Sequence, residues 1–315
     1  MKEIKSLSFE ENKRYQAAIV KGYFDTYDDD PRAWRHSFLG TFIWKHPTRI
    51  PTIDIFAEVV GHLPTWADIT DQNLRELQEA MAKRYCANTC KNRFAELKAI
   101  INEYADEQPM ATQKFKRILV AKSEPSQAVY LNTHEIAKIL DYPPLTDIEQ
   151  YVRRIFLIEA LTGARNCDSV RLSLENVDFE KEPPLITYFS QKVRKNVHVP
   201  MHTSLHAILA EKVECPAPCL DTFNSTLRTI CQRCGINERV TIFRRGKETT
   251  DEKWRYVSSH TGRRSFATNL FMQGVDPYEI SEYMGHSSPQ ITIQRYIIGH
   301  KNTSDAAIRF FTKEL

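Results

Sequence analysis

Residues 258–299 contain three helix start signals, each followed by a glycine, and this pattern constrains local structure more strongly than any other in the chain. A serine or aspartate before a helix accepts hydrogen bonds from the first turn, proline fits that turn, and glycine favours the helix end. The third helix is expected over residues 290–298. The starts are Ser258 or Ser259, Asp276-Pro277 and Ser288-Pro289, and the stops are Gly274, Gly285 and Gly299.

Reactive side chains occupy defined places in this segment. His260 and Arg263 are three residues apart on the first helix, so both side chains lie on one face. His286 follows the glycine that stops the second helix, and Tyr296 lies on the third helix, ten residues later. A tyrosine hydroxyl, with a free pKa of about 10, is a weak nucleophile unless cations stabilise its ionised form. The arrangement indicates an anion site with a tyrosine nucleophile.

A further arginine and two lysines lie upstream. A capping box starts a helix at residue 146, and Gly163 is its expected stop, which places Arg165 just past the helix end. Residues 185–199 are typical of a β-hairpin, with Lys192 and Lys195 near its turn. The rest of this half of the chain is expected to be helical.

The N-terminal half has helical periodicity and no alternating strands. Apolar stripes over residues 65–106 predict two amphipathic helices that share a small core. Helical periodicity is also present over 9–27 and 34–44, before Pro47 and Pro51 interrupt it. The domains assigned on this basis are a helical domain over 1–110, a linker over 111–128 that mixes Pro, Ser, Lys and Gln, and a second domain over 129–315.

Composition adds limited constraints. The formal net charge of +3 does not by itself indicate a nucleic-acid partner, but lysine and arginine cluster at 83–98, 114–122 and 192–195. Such clusters can neutralise phosphates, although solvated helix faces show the same pattern. The chain has no apolar run of membrane-spanning length, and its start lacks the apolar core of a signal peptide, so a cytoplasmic location is expected.

The cysteines favour reduced thiols over a disulfide framework, because their number is odd, at seven, and they are scattered through predicted helices. Four of them, between residues 215 and 234, imitate the spacing of a zinc site. The helix predicted over 226–234 and the two prolines between the first pair argue against that site. No metal and no cofactor are expected.

The chain resembles the tyrosine recombinase family, also called the phage integrase family, from about residue 65 to residue 300 and most strongly after Leu161. The resemblance implies a mainly α fold with a small β-hairpin in the catalytic domain. It also implies a two-domain clamp on DNA, with a helical core-binding domain at the N-terminus. The residues that carry the resemblance are Arg165, Lys192, His260, Arg263, His286 and Tyr296.

The resemblance also implies a role for each of these residues. Arg165 and Arg263 would clamp the scissile phosphate, whereas His260 would assist removal of the proton from the nucleophile. The intrinsic pKa of histidine, near neutrality, permits this role for His260. His286 would donate to the phosphate or the nucleophile, and Tyr296 would form a 3′-phosphotyrosyl link without metal or ATP.

The proton for the leaving 5′ oxygen comes, in this family, from a lysine on a hairpin turn. Alignment on Val199-Pro200 selects Lys192, and Lys195 is the alternative because hairpin registers shift easily.

The implied function is site-specific DNA recombination through a Holliday junction. Four protomers would bind two double-stranded DNA core sites, with the tail at 306–311 docked on a neighbouring protomer or, alternatively, on its own catalytic domain. Accessory DNA-bending proteins and association with a bacterial nucleoid are further expectations. The rival functions are that of a type IB topoisomerase and that of a DNA-binding protein with a vestigial active site.

Overall fold

The structure is a computed structural model that describes residues 37–46, 49–108, 112–122, 127–244 and 247–298. The described chain forms two compact units, the first before residue 127 and the second made of most of the residues after it. The helix expected over 9–27 and the tail at 306–311 lie outside the described residues. No helix of the described part is long and apolar enough to cross a membrane.

The first unit is helical, and its helices enclose one apolar core. Thr70 caps the third helix through its hydroxyl, which accepts from the backbone N–H of Asn73 at 3.1 Å. The helix expected around 34–44 stops at Lys45, before both prolines, as predicted, and Pro51 lies in the first turn of the next helix, where its missing N–H costs no hydrogen bond. The helices are α1 (Phe38–Lys45), α2 (Ile50–Val60), α3 (Asp71–Arg84), α4 (Ala87–Glu103) and α5 (Phe115–Ile118).

Residues 111–128, predicted as a linker, contain a short helix in their described first part. Residues 115–118 form α5, and Phe115, Ile118 and Leu119 are buried in the core of the first unit. Lysines, an arginine and a glutamine surround these apolar residues in the sequence. The segment is therefore too short and too polar to show a clear helical period.

The second unit is built around one long buried helix. Its middle residues from Val152 to Ala160 face the core almost without interruption, and several other helices pack on it. The helices are α6 (Thr133–Leu140), α7 (Asp147–Thr162), α8 (Asn166–Ser169), α9 (Leu205–Ala210), α10 (Leu220–Arg233), α11 (Ser259–Met272), α12 (Pro277–Tyr283) and α13 (Pro289–Arg295). Helix α7 is the central one, and it ends at Gly163, as predicted.

Two small sheets accompany these helices. Strands β1 (Val177–Asp178), β2 (Leu185–Ser190) and β3 (Lys195–Pro200) form an antiparallel sheet, and β2 and β3 are the predicted hairpin. Strands β4 (Arg239–Arg244) and β5 (Lys247–Glu252) form a second sheet, so the expectation that the rest of this half is helical is wrong. The sequence Lys-Glu-Thr-Thr-Asp-Glu of β5 has no apolar face, which is the signal on which strand prediction depends.

The three predicted helix starts near the C-terminus are confirmed, with caps at Ser258, Asp276 and Ser288. The expected extent of the third helix is wrong, because α13 ends at Arg295 and Tyr296 lies just beyond its last turn. The hydroxyl of Thr268 donates to the Tyr296 carbonyl at 3.0 Å and accepts from the Ile298 N–H at 3.1 Å. The Thr268 side chain of α11 therefore holds the backbone that follows the last turn of α13.

Candidate active site

Arg263 is the centre of the site, although it is only 1% exposed. Its guanidinium donates to the Gly163 carbonyl at the end of α7. It also donates to the Met284 carbonyl at 2.6 Å, and its Nη2 atom lies 2.8 Å from Nε2 of His286. One arginine thus joins the ends of α7 and α12 to the histidine that follows Gly285.

The ring of Tyr296 packs among three of the other predicted site residues. Its centroid lies 5.2 Å from that of His260 and 4.7 Å from that of His286. The Arg263 guanidinium lies 5.3 Å from the same ring. Tyr296 is 8% exposed, so these contacts fix the ring at the centre of the cluster. The structure therefore brings the tyrosine, both histidines and one arginine together.

Both histidines are neutral at neutral pH. Burial, followed by the nearby Arg264 and Arg263, lowers the pKa of His260 to about 4. Burial, followed by Arg263 and Arg165, lowers the pKa of His286 to about 3. The pKa of His260 in the fold therefore lies well below the intrinsic value of histidine, because burial and the nearby cations both disfavour the charged imidazole. A neutral imidazole has one free nitrogen lone pair, which suits it to accept a proton.

The tautomer of His286 follows from its partners. Its Nε2 faces an Arg263 donor, and its Nδ1 lies 2.8 Å from the hydroxyl oxygen of Thr292. Because a guanidinium can only donate, Nε2 accepts and Nδ1 carries the proton, which it donates to the threonine oxygen. The proton on His286 therefore points away from Arg263.

Arg165 is tied to the β2–β3 hairpin by a buried carboxylate that the sequence argument missed. The Nη1 atom of Arg165 donates to the Ser190 hydroxyl at 3.1 Å, and that hydroxyl donates to Asp168 at 3.0 Å. Asp168, which is 1% exposed, also accepts from the backbone N–H of Gln191 at 3.2 Å. The sequence signal that could have identified Asp168 is its position three residues after Arg165, on the short helix α8 that Arg165 caps. Asp168 therefore positions both Arg165 and the start of the turn.

Both candidate lysines lie beside the cluster. Lys192 is in the exposed turn at 191–194, and its charge contributes to the lowered pKa of His260. Lys195 is the first residue of β3, and its Nζ donates to the carbonyl of His286 at 3.4 Å. Its charge contributes to the lowered pKa of His286. Lys192 thus stays a prediction as the proton donor, with Lys195 as the alternative.

The four cysteines whose spacing imitates a zinc site include Cys231, which is completely buried. Within the described ranges, no three His, Cys, Asp or Glu side chains are grouped so as to hold a metal ion.

The part of the chain that contains this site is similar to known proteins. The sequence model of the phage integrase family matches residues 129–303. The chain is 30% identical over 168 residues to the tyrosine recombinase XerD of Corynebacterium glutamicum, covering 51% of this chain and 54% of XerD. It is 22% identical over 244 residues to the tyrosine recombinase XerC of Herpetosiphon aurantiacus, covering 72% and 75%. The match thus spans only about half the length of XerD.

Solved structures share the fold at low sequence identity. The XerH recombinase in a post-cleavage complex with its difH substrate matches with a TM-score of 0.58 and 16% identity, over 87% of this chain and 79% of XerH. A lambda integrase dimer bound to a COC′ core site matches with a TM-score of 0.60 and 14% identity, over 92% and 98%. The predicted fold class, mainly helical with a small sheet in the catalytic domain, is confirmed.

Proposed function

Because the chain belongs to the phage integrase family, we propose that it is a site-specific DNA recombinase that cleaves and rejoins DNA through Tyr296. The observation that carries the proposal is the packing of the Tyr296 ring between His260 and His286, next to Arg263. A tyrosine held among neutral histidines and a buried cation is suited to attack an anionic phosphate.

The proposed reaction gives a step to five of the six predicted site residues, because Arg263 and Thr292 already occupy both ring nitrogens of His286. Arg165 and Arg263 stabilise the charge that develops on the nonbridging oxygens of the phosphate. The Tyr296 oxygen forms a bond to phosphorus as its proton passes to neutral His260. The bond from phosphorus to the 5′ oxygen breaks, and Lys192 supplies the proton to that oxygen. The products are a 3′-phosphotyrosyl link and a 5′ hydroxyl, which can attack in the reverse direction. The link retains the phosphodiester bond energy, so that rejoining needs no ATP.

The proposed assembly is a homotetramer on two double-stranded core sites, which exchanges strands through a Holliday junction. The dimer of lambda integrase on its core site supports DNA binding by more than one protomer. We place the tail at 306–311 on a neighbouring protomer, with docking on its own catalytic domain as the alternative. Accessory DNA-bending proteins and action at a bacterial nucleoid complete the proposal.

The test is capture of the covalent intermediate. Bound duplexes are selected from a random-sequence pool, and a selected site is then nicked beside the cleavage position, so that the short fragment bearing the 5′ hydroxyl is lost after attack. The wild-type protein is expected to form a protein–DNA adduct, and Tyr296→Phe is expected to bind equally well without forming one. Tight binding with no adduct from the wild type would support the vestigial-site alternative. Plasmid relaxation without junctions between two sites would support the topoisomerase alternative.

The role of Lys192 has a separate chemical test. A substrate with sulfur in place of the 5′ bridging oxygen has a leaving group that needs no proton. Lys192→Ala is expected to slow cleavage of normal DNA by about 10²-fold or more, the usual size of a lost general acid, and to recover on the sulfur substrate. Lys195→Ala is the matched control. If only Lys195→Ala is slow on normal DNA and recovers on the sulfur substrate, Lys195 is the proton donor.

A further inference from the structure

A buried carboxyl lies beside the two arginines of the site and has no part in the reaction proposed above. Glu159 is in the last turn of α7 and is 1% exposed. Its Oε1 atom accepts from the side-chain amide of Asn166 at 2.8 Å, one residue after Arg165. Its Oε2 atom has no hydrogen-bond partner among the described residues. One oxygen is therefore tied to the Arg165 turn, and the other is unpaired.

Helix α11 leaves space for this carboxyl at Gly262. A Cβ atom built on Gly262 would lie 2.8 Å from the Glu159 Cβ and 3.1 Å from its Oε2. Glycine inside a helix is destabilising relative to alanine, so its presence between His260 and Arg263 calls for a reason. The glycine allows Glu159 to enter the space next to Arg263.

Glu159 and Arg263 share a small cavity. Its volume is about 20 Å³, which is room for a single water-sized group. The Nε atom of Arg263 is also buried without a hydrogen-bond partner among the described residues. Both unpaired atoms therefore belong to residues that line one cavity with room for a single water. The cavity is lined by Glu159, Ala164, Arg165, Asn166, Ser259, His260 and Arg263.

The charge state of Glu159 suits a site that must hold a phosphate. Burial raises its pKa well above the usual range, and Asn166 and Arg263 offset this only in part. The titratable groups that line the same cavity are Arg165, His260 and Arg263. A neutral carboxyl leaves the charges of both arginines available to a phosphate, whereas a carboxylate would neutralise Arg263.

We propose that Glu159 is a positioning residue for cleavage: seated against Gly262, it holds the Arg165 turn through Asn166 and keeps Arg263 in line with it, so that the charges of both arginines act on one phosphate. This inference rests on the proposed function, because it assumes that the two arginines share a phosphate. Misplacement of such groups by about 1 Å costs up to about 10²-fold in rate.

The test compares two substitutions of Glu159 that keep its volume. Glu159→Leu removes the polar contacts and leaves the partly buried Asn166 amide without its acceptor, so some loss of stability is expected with it. It is expected to retain DNA binding, which is spread over many phosphates, and to slow single-turnover cleavage of the nicked substrate by about 10-fold or more. Glu159→Gln, which mimics the neutral carboxyl and keeps an acceptor for Asn166, is expected to restore most of the rate.

Glu149 provides a matched control, since it is a second buried glutamate of α7, paired with Arg233 away from the cluster. Glu149→Leu is expected to change stability without changing the cleavage rate of folded protein. Cleavage by Glu159→Leu at the wild-type rate would overturn the inference. Cleavage by Glu159→Gln that is as slow as that by Glu159→Leu would also overturn it.

If Glu159→Leu does not fold, Asn166→Ala supplies the answer, because residue 166 is only partly buried. Slower cleavage by this variant supports the inference, and unchanged cleavage overturns it. An absence of any adduct from the wild-type protein would instead refute the proposed function, so the two failures are distinguishable.

Discussion

Replacement of Gly163 by alanine should reveal how much stability depends on the turn between α7 and Arg165. Gly163 has a φ of +68°, and an added Cβ would lie 2.5 Å from Cδ1 of Phe266. The left-handed backbone costs about 1 to 2 kcal/mol for a residue with a side chain. Overpacking against a buried ring adds about 1 to 3 kcal/mol. The expected loss in the free energy of unfolding of this unit is therefore about 2 to 4 kcal/mol, after a small gain from a stiffer unfolded chain.

Gly235 is the matched control, because its φ is also +68° and nothing lies within 4 Å of an added Cβ. Gly235→Ala should cost only the backbone strain, about 1 to 2 kcal/mol. Hydrogen exchange of the α7 and α11 amides under denaturant reports the stability of this unit. Phe266→Leu should recover part of the loss in the Gly163→Ala background. Equal losses for the two glycine variants, with no recovery, would refute the packing argument.

Two further outcomes follow from the site. Asp168→Ala should destabilise this unit by about 2 kcal/mol, since it leaves the buried Ser190 hydroxyl without its acceptor, and should also slow adduct formation. Denaturation and single-turnover cleavage measure the two effects, and unchanged cleavage would limit Asp168 to a role in folding. Acid should also destabilise the protein through His260 and His286, whose folded pKa values, about 4 and about 3, lie below the unfolded value near 6.5. Their contribution is complete above pH 6.5 and is lost as the pH falls toward 4 and then 3. The variant with both His260→Gln and His286→Gln should lose less stability than the wild type between pH 7 and pH 4. Equal decreases of the denaturant midpoint in the two proteins would contradict the lowered pKa values.

Helix starts and stops near the C-terminus were predictable because they depend on contacts within a few residues. Asp276 and Ser288 each accept from a backbone N–H two residues ahead. Gly163 ends α7 because it adopts the left-handed conformation that glycine favours. Such interactions are encoded in the spacing of a short segment, so the sequence places His260, His286 and Arg165 at defined helix ends.

Features that depend on distant partners were not predictable in this way. The end of α13 is set by the hydroxyl of Thr268, 28 residues before Tyr296. Burial of Glu159 depends on Gly262, which belongs to a different helix. No short window contains both partners of either contact. The lowered pKa of His260 likewise reflects burial among cations that only the fold brings together.

The charges of the site indicate how the proposed reaction is controlled. Arg263 is buried beside two histidines that burial and neighbouring cations keep neutral. Proton transfer from a tyrosine hydroxyl to an imidazole with a pKa of about 4 is strongly uphill. A phosphate that enters this cluster adds negative charge, which raises the pKa of both imidazoles and stabilises the imidazolium formed at His260. Because the phosphate gains further charge in the transition state, its effect on His260 is largest at the moment of proton transfer. Tyr296 is therefore expected to be activated by the DNA that it attacks, and to stay unreactive toward other electrophiles without it.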